Sequence, residues 1–150
     1  FERSPVRVVL DEDLRLPLAT SVVATVRETP TWVFTSHRSS VLAEEILQQK
    51  GCKVFRVDED NGRLDLNQTL KKLAEQGITR CLVEGGPTVA SSLVSANLVD
   101  EAILLRGEKI IGDTGIDPLE GMPLEAMTGR LTLRGSEKLA TDTIENFVRG

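Results

Sequence analysis

Three stretches of the chain combine residue types and spacings that could do chemistry. The first is Leu82-Val83-Glu84-Gly85-Gly86-Pro87-Thr88-Val89-Ala90-Ser91-Ser92. An apolar run gives way to a carboxylate, then two glycines, then a proline, which suits the first turn of a helix. Amides of a first helical turn lack intrahelical partners and the helix dipole is positive there, so a nucleotide phosphate is well placed to accept from them. Glycine is needed because a Cβ would hold the phosphate away from the backbone. Thr88, Ser91 and Ser92 add hydroxyl donors near the same end. Glu84 falls at the carboxyl end of an expected strand, where open α/β sheets bind their ligands. A carboxylate there repels phosphate and suits a substrate's N–H or O–H groups. The same glycine pair also fits a plain tight turn with a solvated Glu84, and spacing alone does not separate the two, since it is far less specific than a full dinucleotide fingerprint.

The second stretch is Thr35-Ser36-His37-Arg38-Ser39-Ser40, again between a strand and a helix. Ser36 and Arg38 suit the 2′-phosphate of NADP, which an arginine commonly accommodates. The alternative is an ordinary Ser/Thr helix cap with an exposed histidine and arginine. His37 titrates in a useful range, but the sequence offers nothing to orient it as an acid or base. The third stretch, Asp11-Glu12-Asp13, could supply acid–base carboxylates or simply be a solvated turn. Asp58-Glu59-Asp60 reads the same way and lacks the glycine and glutamate placement of a calcium loop.

The elements that must position these residues follow from periodicity. Strands are expected at 6–10, 31–35, 53–57, 79–83 and 102–105, with a short extension at 109–111. Helices are expected from Val41 to Lys50, stopped by Gly51, and from Asp65 to about Gly77, with Leu66, Leu70, Leu73 and Ala74 on one face. A third is expected from Thr88 to Ala96, and Asn61-Gly62 signals a tight turn. Residues 112–128 read as a loop, and 130–134 and 143–148 as a closing antiparallel hairpin. Helices alternating with strands imply a mainly parallel sheet covered on both faces, hence an α/β doubly wound domain with an antiparallel end.

Composition agrees with one folded domain over 1–150. The chain has 150 residues, 40% of them hydrophobic and 27% charged. No apolar run approaches the about 20 residues of a membrane-spanning helix, and no secretory signal is visible. A net charge of −5 disfavours nucleic acid as a partner. One histidine and no Cys-x-x-Cys pair point to no metal site. Cys52 and Cys81 read as buried, reduced thiols, which fits a cytoplasmic setting.

Several blocks occur in a telling order: Pro5-Val6-Arg7-Val8-Val9-Leu10-Asp11, Leu14-Arg15-Leu16-Pro17, Pro30-Thr31-Trp32-Val33-Phe34-Thr35, Gly62-Arg63-Leu64-Asp65-Leu66, Gly77 through Thr88, Leu98-Val99-Asp100-Glu101 and Lys109-Ile110-Ile111-Gly112. Together they resemble the reductase domain of the bacterial bifunctional riboflavin-biosynthesis deaminase/reductase, the RibD family. The resemblance implies a dihydrofolate-reductase-like fold and a multifunctional, homodimeric cytoplasmic enzyme. It implies NADPH-dependent reduction of 5-amino-6-(5-phosphoribosylamino)uracil to the ribityl product. Carried over by position, Glu84 contacts substrate, while Gly86, Pro87, Thr88, Val89, Ala90, Ser91 and Ser92 hold the cofactor. Glu12 stands where the family carries a hydroxyl residue touching the cofactor. The resemblance also implies an opening strand ahead of these residues and an upstream deaminase domain. Two other readings remain: a non-catalytic α/β module for nucleotide binding or oligomerisation, and a same-fold reductase acting on another pteridine-like substrate.

Overall fold

The computed structural model describes residues 5–150, and these group into two compact units, 5–79 and 80–150. In the first, strands β1 (Arg7–Leu10), β2 (Thr31–Ser36) and β3 (Lys53–Val57) form a parallel sheet in the order β1-β2-β3. The central strand β2 is buried along its whole length, and a strand covered on both faces must be nearly continuous in apolar and small residues. Its alternation sends Val33 to one core and Trp32 and Phe34 to the other. The first core is closed by Leu14, Val23, Val26, Leu47 and Cys52, from the short helix α1 (Ser21–Ala24), helix α2 (Val41–Lys50) and neighbouring turns. The second is closed by Val57, Leu64 and Leu73, the last on helix α3 (Leu66–Glu75). Phe34 and its cross-strand neighbour Phe55 stack with ring centroids 5.0 Å apart.

Caps act where the residue types predict. The Ser40 hydroxyl accepts from the Ala43 amide at the start of α2, and Asp65 accepts from the Gln68 amide at the start of α3. Gly51 ends α2 at φ 108°, a left-handed conformation that favours glycine. Asn61 and Gly62, both at positive φ, turn the tiny hairpin of β4 (Glu59–Asp60) and β5 (Arg63–Leu64).

The second unit carries helix α4 (Pro87–Ser95), strand β6 (Glu101–Arg106), a 3₁₀ turn at Gly112–Thr114, helix α5 (Glu125–Thr128), and the closing hairpin of β7 (Thr132–Leu139) and β8 (Asp142–Val148). The hairpin is antiparallel, as expected, and β8 lies between β6 and β7, pairing antiparallel with both. Arg149 closes this sheet onto the turn after α4 by donating to Asp100 and to the Asn97 and Val99 carbonyls.

Three expectations change. No strand forms at 79–83, where Leu82 is 79% and Val83 48% exposed. A β-branched run becomes a strand only when a neighbour completes its hydrogen bonds, and no described residue pairs with this one. Cys81 is therefore exposed rather than buried, while Cys52 is buried as expected. The extension at 109–111 is likewise not a strand, and Ile110 and Ile111 stand exposed. Parallel pairing among the described residues is confined to β1, β2 and β3.

Candidate active site

Glu84 lies in the irregular segment just before α4, exposed, with no hydrogen bond or ion pair among the described residues. Gly85 and Gly86 follow, also exposed, and Pro87 takes the first helical position. Gly86 is the N-cap and supplies no side chain, so no side-chain hydrogen bond caps α4. The carbonyl of Gly86 accepts from both the Val89 and Ala90 amides. A Cβ on Gly86 would meet nothing within 4 Å, whereas one on Gly85 would come to 3.2 Å from the Val89 Cβ. Gly85 therefore allows the tight approach of turn to helix, and Gly86 leaves open space before it.

The hydroxyls of this turn are engaged. Thr88 Oγ1 and Ser91 Oγ donate to the two carboxylate oxygens of Glu120, and Ser92 Oγ donates to the Thr88 carbonyl at 2.7 Å. Val89 and Ala90 are half-buried and Ser91 is buried. Glu120 is a residue that sequence reasoning missed. It comes from the segment 112–128 read as a loop, 32 positions after Thr88, and nothing local signals the pairing. A carboxylate beside a helix N-terminus is favoured by the dipole, so the protein itself places an anion where phosphate was expected.

The other candidates gather at one edge of the first unit. Because β1, β2 and β3 are parallel, their carboxyl ends lie together. Asp11-Glu12-Asp13 leaves β1, His37-Arg38 leaves β2, and Asp58-Glu59 leaves β3. Arg38 pairs with Glu12, approaches Glu59 at 3.0 Å and stands 3.8 Å from Asp13. Partial desolvation and a hydrogen bond with Glu12 push the Glu59 carboxyl above its ordinary value, against the pull of Arg38. Ser36 is fully buried, and its Oγ has no hydrogen-bond partner among the described residues.

Two further groups shape this edge. His37 Nε2 lies 3.3 Å from Asp58 Oδ1, and Asp58 exchanges hydrogen bonds with the Gln68 amide group, so the histidine does have an orienting carboxylate. Arg56 on β3 donates to the carbonyls of Ser36, His37 and Ser39 and pairs with Glu44 at 2.7 Å. It fixes the loop that presents Arg38. The signal for it was present in the sequence: one arginine inside the apolar strand Lys53-Val-Phe-Arg-Val57. Asp11 is structural, accepting from the Leu16 amide at 2.6 Å and holding the turn after β1. Among the described residues, no group of three or more His, Cys, Asp or Glu is arranged to hold a metal, and no helix is long and apolar enough to cross a membrane.

The family profile described as the RibD C-terminal domain matches residues 1–144. A riboflavin biosynthesis protein RibD from Bacillus amyloliquefaciens is 39% identical over 112 residues, covering 75% of this chain and 29% of its own length. A 2,5-diamino-6-ribosylamino-4(3H)-pyrimidinone 5′-phosphate reductase from Archaeoglobus fulgidus is 35% identical over 113 residues, 74% of this chain and 48% of that one. The solved RibD of Acinetobacter baumannii (form 2) superposes with a TM-score of 0.75 at 23% identity, over 97% of this chain and 38% of that chain. The fold is thus that of the solved RibD, α/β with parallel and antiparallel strands, and the chain spans between a quarter and a half of these relatives' lengths. With residues 1–144 of 150 matched, the chain belongs to the RibD C-terminal domain family.

Proposed function

We propose that this chain supplies the reductase activity of riboflavin biosynthesis, reducing the ribosyl group of a phosphoribosylamino-pyrimidine to a ribityl chain. The relatives named as riboflavin biosynthesis protein and as pyrimidinone phosphate reductase support that reading. The observation that carries it is an exposed, unpartnered Glu84 set immediately before a nine-residue helix whose N-terminus no side chain caps. Glu84 accepts hydrogen bonds from substrate N–H and O–H groups and so orients the ribosyl carbon to be reduced. Gly86 and the first turn of α4 through Ser92 receive the cofactor's pyrophosphate, in competition with Glu120 for the Thr88 and Ser91 hydroxyls. A nicotinamide dinucleotide supplies the hydride when bound; the chain's task is to bind, orient and exclude water.

The fit differs between parts of the cofactor. Open space beside Gly86 supports a pyrophosphate there, since a Cβ at this position would meet nothing within 4 Å. The 2′-phosphate that distinguishes NADPH, the form implied by family resemblance, does not fit the expected pair. Ser36 is buried, and Arg38 is held among Glu12, Asp13 and Glu59.

Two free thiols support a reducing, cytoplasmic setting. A homodimer is supported by exposed Ile103 and Leu105, which share one face of β6. The decisive experiment is turnover of the pyrimidine substrate by the full-length protein with Glu84→Gln alongside. A fall in kcat/KM with unchanged dinucleotide affinity is expected. Equal losses in both would contradict the role given to Glu84, and dinucleotide binding without turnover by the unmodified protein would favour a non-catalytic module.

A further inference from the structure

Resting on the reductase reading above, in which the first turn of α4 receives a pyrophosphate, we infer that residues 117–122 form a strap that closes this site with Glu120 and opens when a diphosphate enters. All the groups involved lie in the second unit. The strap follows one face of α4. Thr88, Ser91, Ser92 and Ser95 fall at the three- and four-residue spacing that puts side chains on a common helix face. Thr88 and Ser91 meet the strap through the Glu120 carboxylate, and Ser95 meets it through the Met122 sulfur at 3.5 Å.

The strap is rooted beside the residue that must move. Leu119 is 3% exposed, and its amide donates to Asp117 Oδ1 at 2.8 Å. Leu119 to Met122 then make a tight turn, closed by the Met122 amide on the Leu119 carbonyl at 3.1 Å, with φ 52° at Glu120 and 86° at Gly121. Glycine takes this left-handed region freely, whereas the Cβ of a glutamate there crowds a carbonyl oxygen. Glu120 is held against its own backbone preference, so loss of its side-chain contacts lets the turn relax.

Opening also leaves no buried donor stranded. Ser91 Oγ lies 3.1 Å from the Thr88 carbonyl and 3.2 Å from Glu120 Oε2. A hydroxyl has one proton to donate, so when Glu120 withdraws, the buried Ser91 keeps the Thr88 carbonyl and escapes the penalty of an unmet hydrogen bond. Closed, the strap sets a threshold. An entering anion must displace a tethered carboxylate whose short connection gives it an effective concentration on the order of millimolar or more. A diphosphate brings more charge and more acceptor oxygens than a single inorganic phosphate and passes that threshold more readily.

The test uses the full-length protein with inorganic pyrophosphate as probe, calorimetry for affinity and amide hydrogen exchange for the strap. Pyrophosphate is expected to slow exchange in the first turn of α4 and to speed it at the Leu119 and Met122 amides. Inorganic phosphate at the same concentration is expected to do neither. Glu120→Gln removes the charge and keeps the size of the side chain. It should tighten pyrophosphate a few-fold and speed strap exchange before any ligand is added. Pyrophosphate binding with strap exchange unchanged or slowed, or with equal affinity in Glu120→Gln, overturns the inference and leaves the phosphate site standing. Binding of pyrophosphate by neither protein overturns the phosphate site and the inference with it.

Discussion

Glu12 follows strand β1 and Glu84 an irregular segment before α4, and their surroundings differ. Glu84 is exposed with nothing described to neutralise it, and so is available to a polar substrate. Glu12 is tied to Arg38. Two other glutamates titrate in opposite directions. The Arg80 guanidinium, by hydrogen bond and by charge, holds the Glu101 carboxyl below its ordinary value, with help from Asn146. Glu59 is displaced upward. In a carboxyl-carbon NMR titration, Glu59 should therefore take up its proton at higher pH than Glu101. Glu101 adds stability above its unfolded pKa of about 4.3 and loses it as pH falls through its lower folded value. Glu59 does the reverse: its contribution is present below the unfolded value and lost as pH rises through the raised folded value. A common midpoint for the two would contradict these assignments.

At the scale of elements, α4 is the informative one. Its N-terminus attracts anions, and Glu120 already exploits that by accepting from Thr88 and Ser91. Charges at helix ends are worth roughly 0.3–1 kcal/mol. Glu120→Ala should therefore strengthen dinucleotide binding a few-fold, and weaker binding would mean that Glu120 orders the turn more than it competes for it. Helix α3 depends on its cap. Removing the Asp65 carboxylate by Asp65→Ala should cost about 1 kcal/mol in a denaturant titration, since Asp65 receives the Gln68 amide at 3.0 Å. Strand β2 is less forgiving. Phe34 is fully buried and stacked on Phe55, so Phe34→Ala should cost about 3–5 kcal/mol, a large part of a domain's total stability.

For the molecule as a whole, the relevant forces are unburied apolar surface and net charge. Isolated surface leucines are ordinary, but Ile103 and Leu105 lie two residues apart on β6, both exposed on one face. Sedimentation of the full-length protein should report a dimer, and Leu105→Lys should shift it toward monomer. A monomer at all accessible concentrations would remove the homodimer. The net charge of −5 predicts that duplex DNA will not compete with the dinucleotide at physiological salt.

Much was legible from residue order because its cause is local. The capping of α2 by Ser40 and of α3 by Asp65, the left-handed stop at Gly51, the Asn61-Gly62 turn and the β7–β8 hairpin all follow from backbone preferences and side chains within a few positions. So did the Glu84-Gly85-Gly86 approach to α4, whose glycines and proline carry their own conformational instructions. What residue order left open depends on partners distant along the chain. Whether 79–83 forms a strand rests on a neighbouring ladder, not on its β-branched residues. Whether Arg38 greets a phosphate rests on Glu12 and Glu59, brought beside it by parallel pairing of β1, β2 and β3. Glu120 reaches α4 from 32 residues away. Propensity is a property of a few neighbouring residues, whereas pairing and electrostatic environment are properties of the folded arrangement, and at Arg38 that arrangement reverses what the arginine alone suggests.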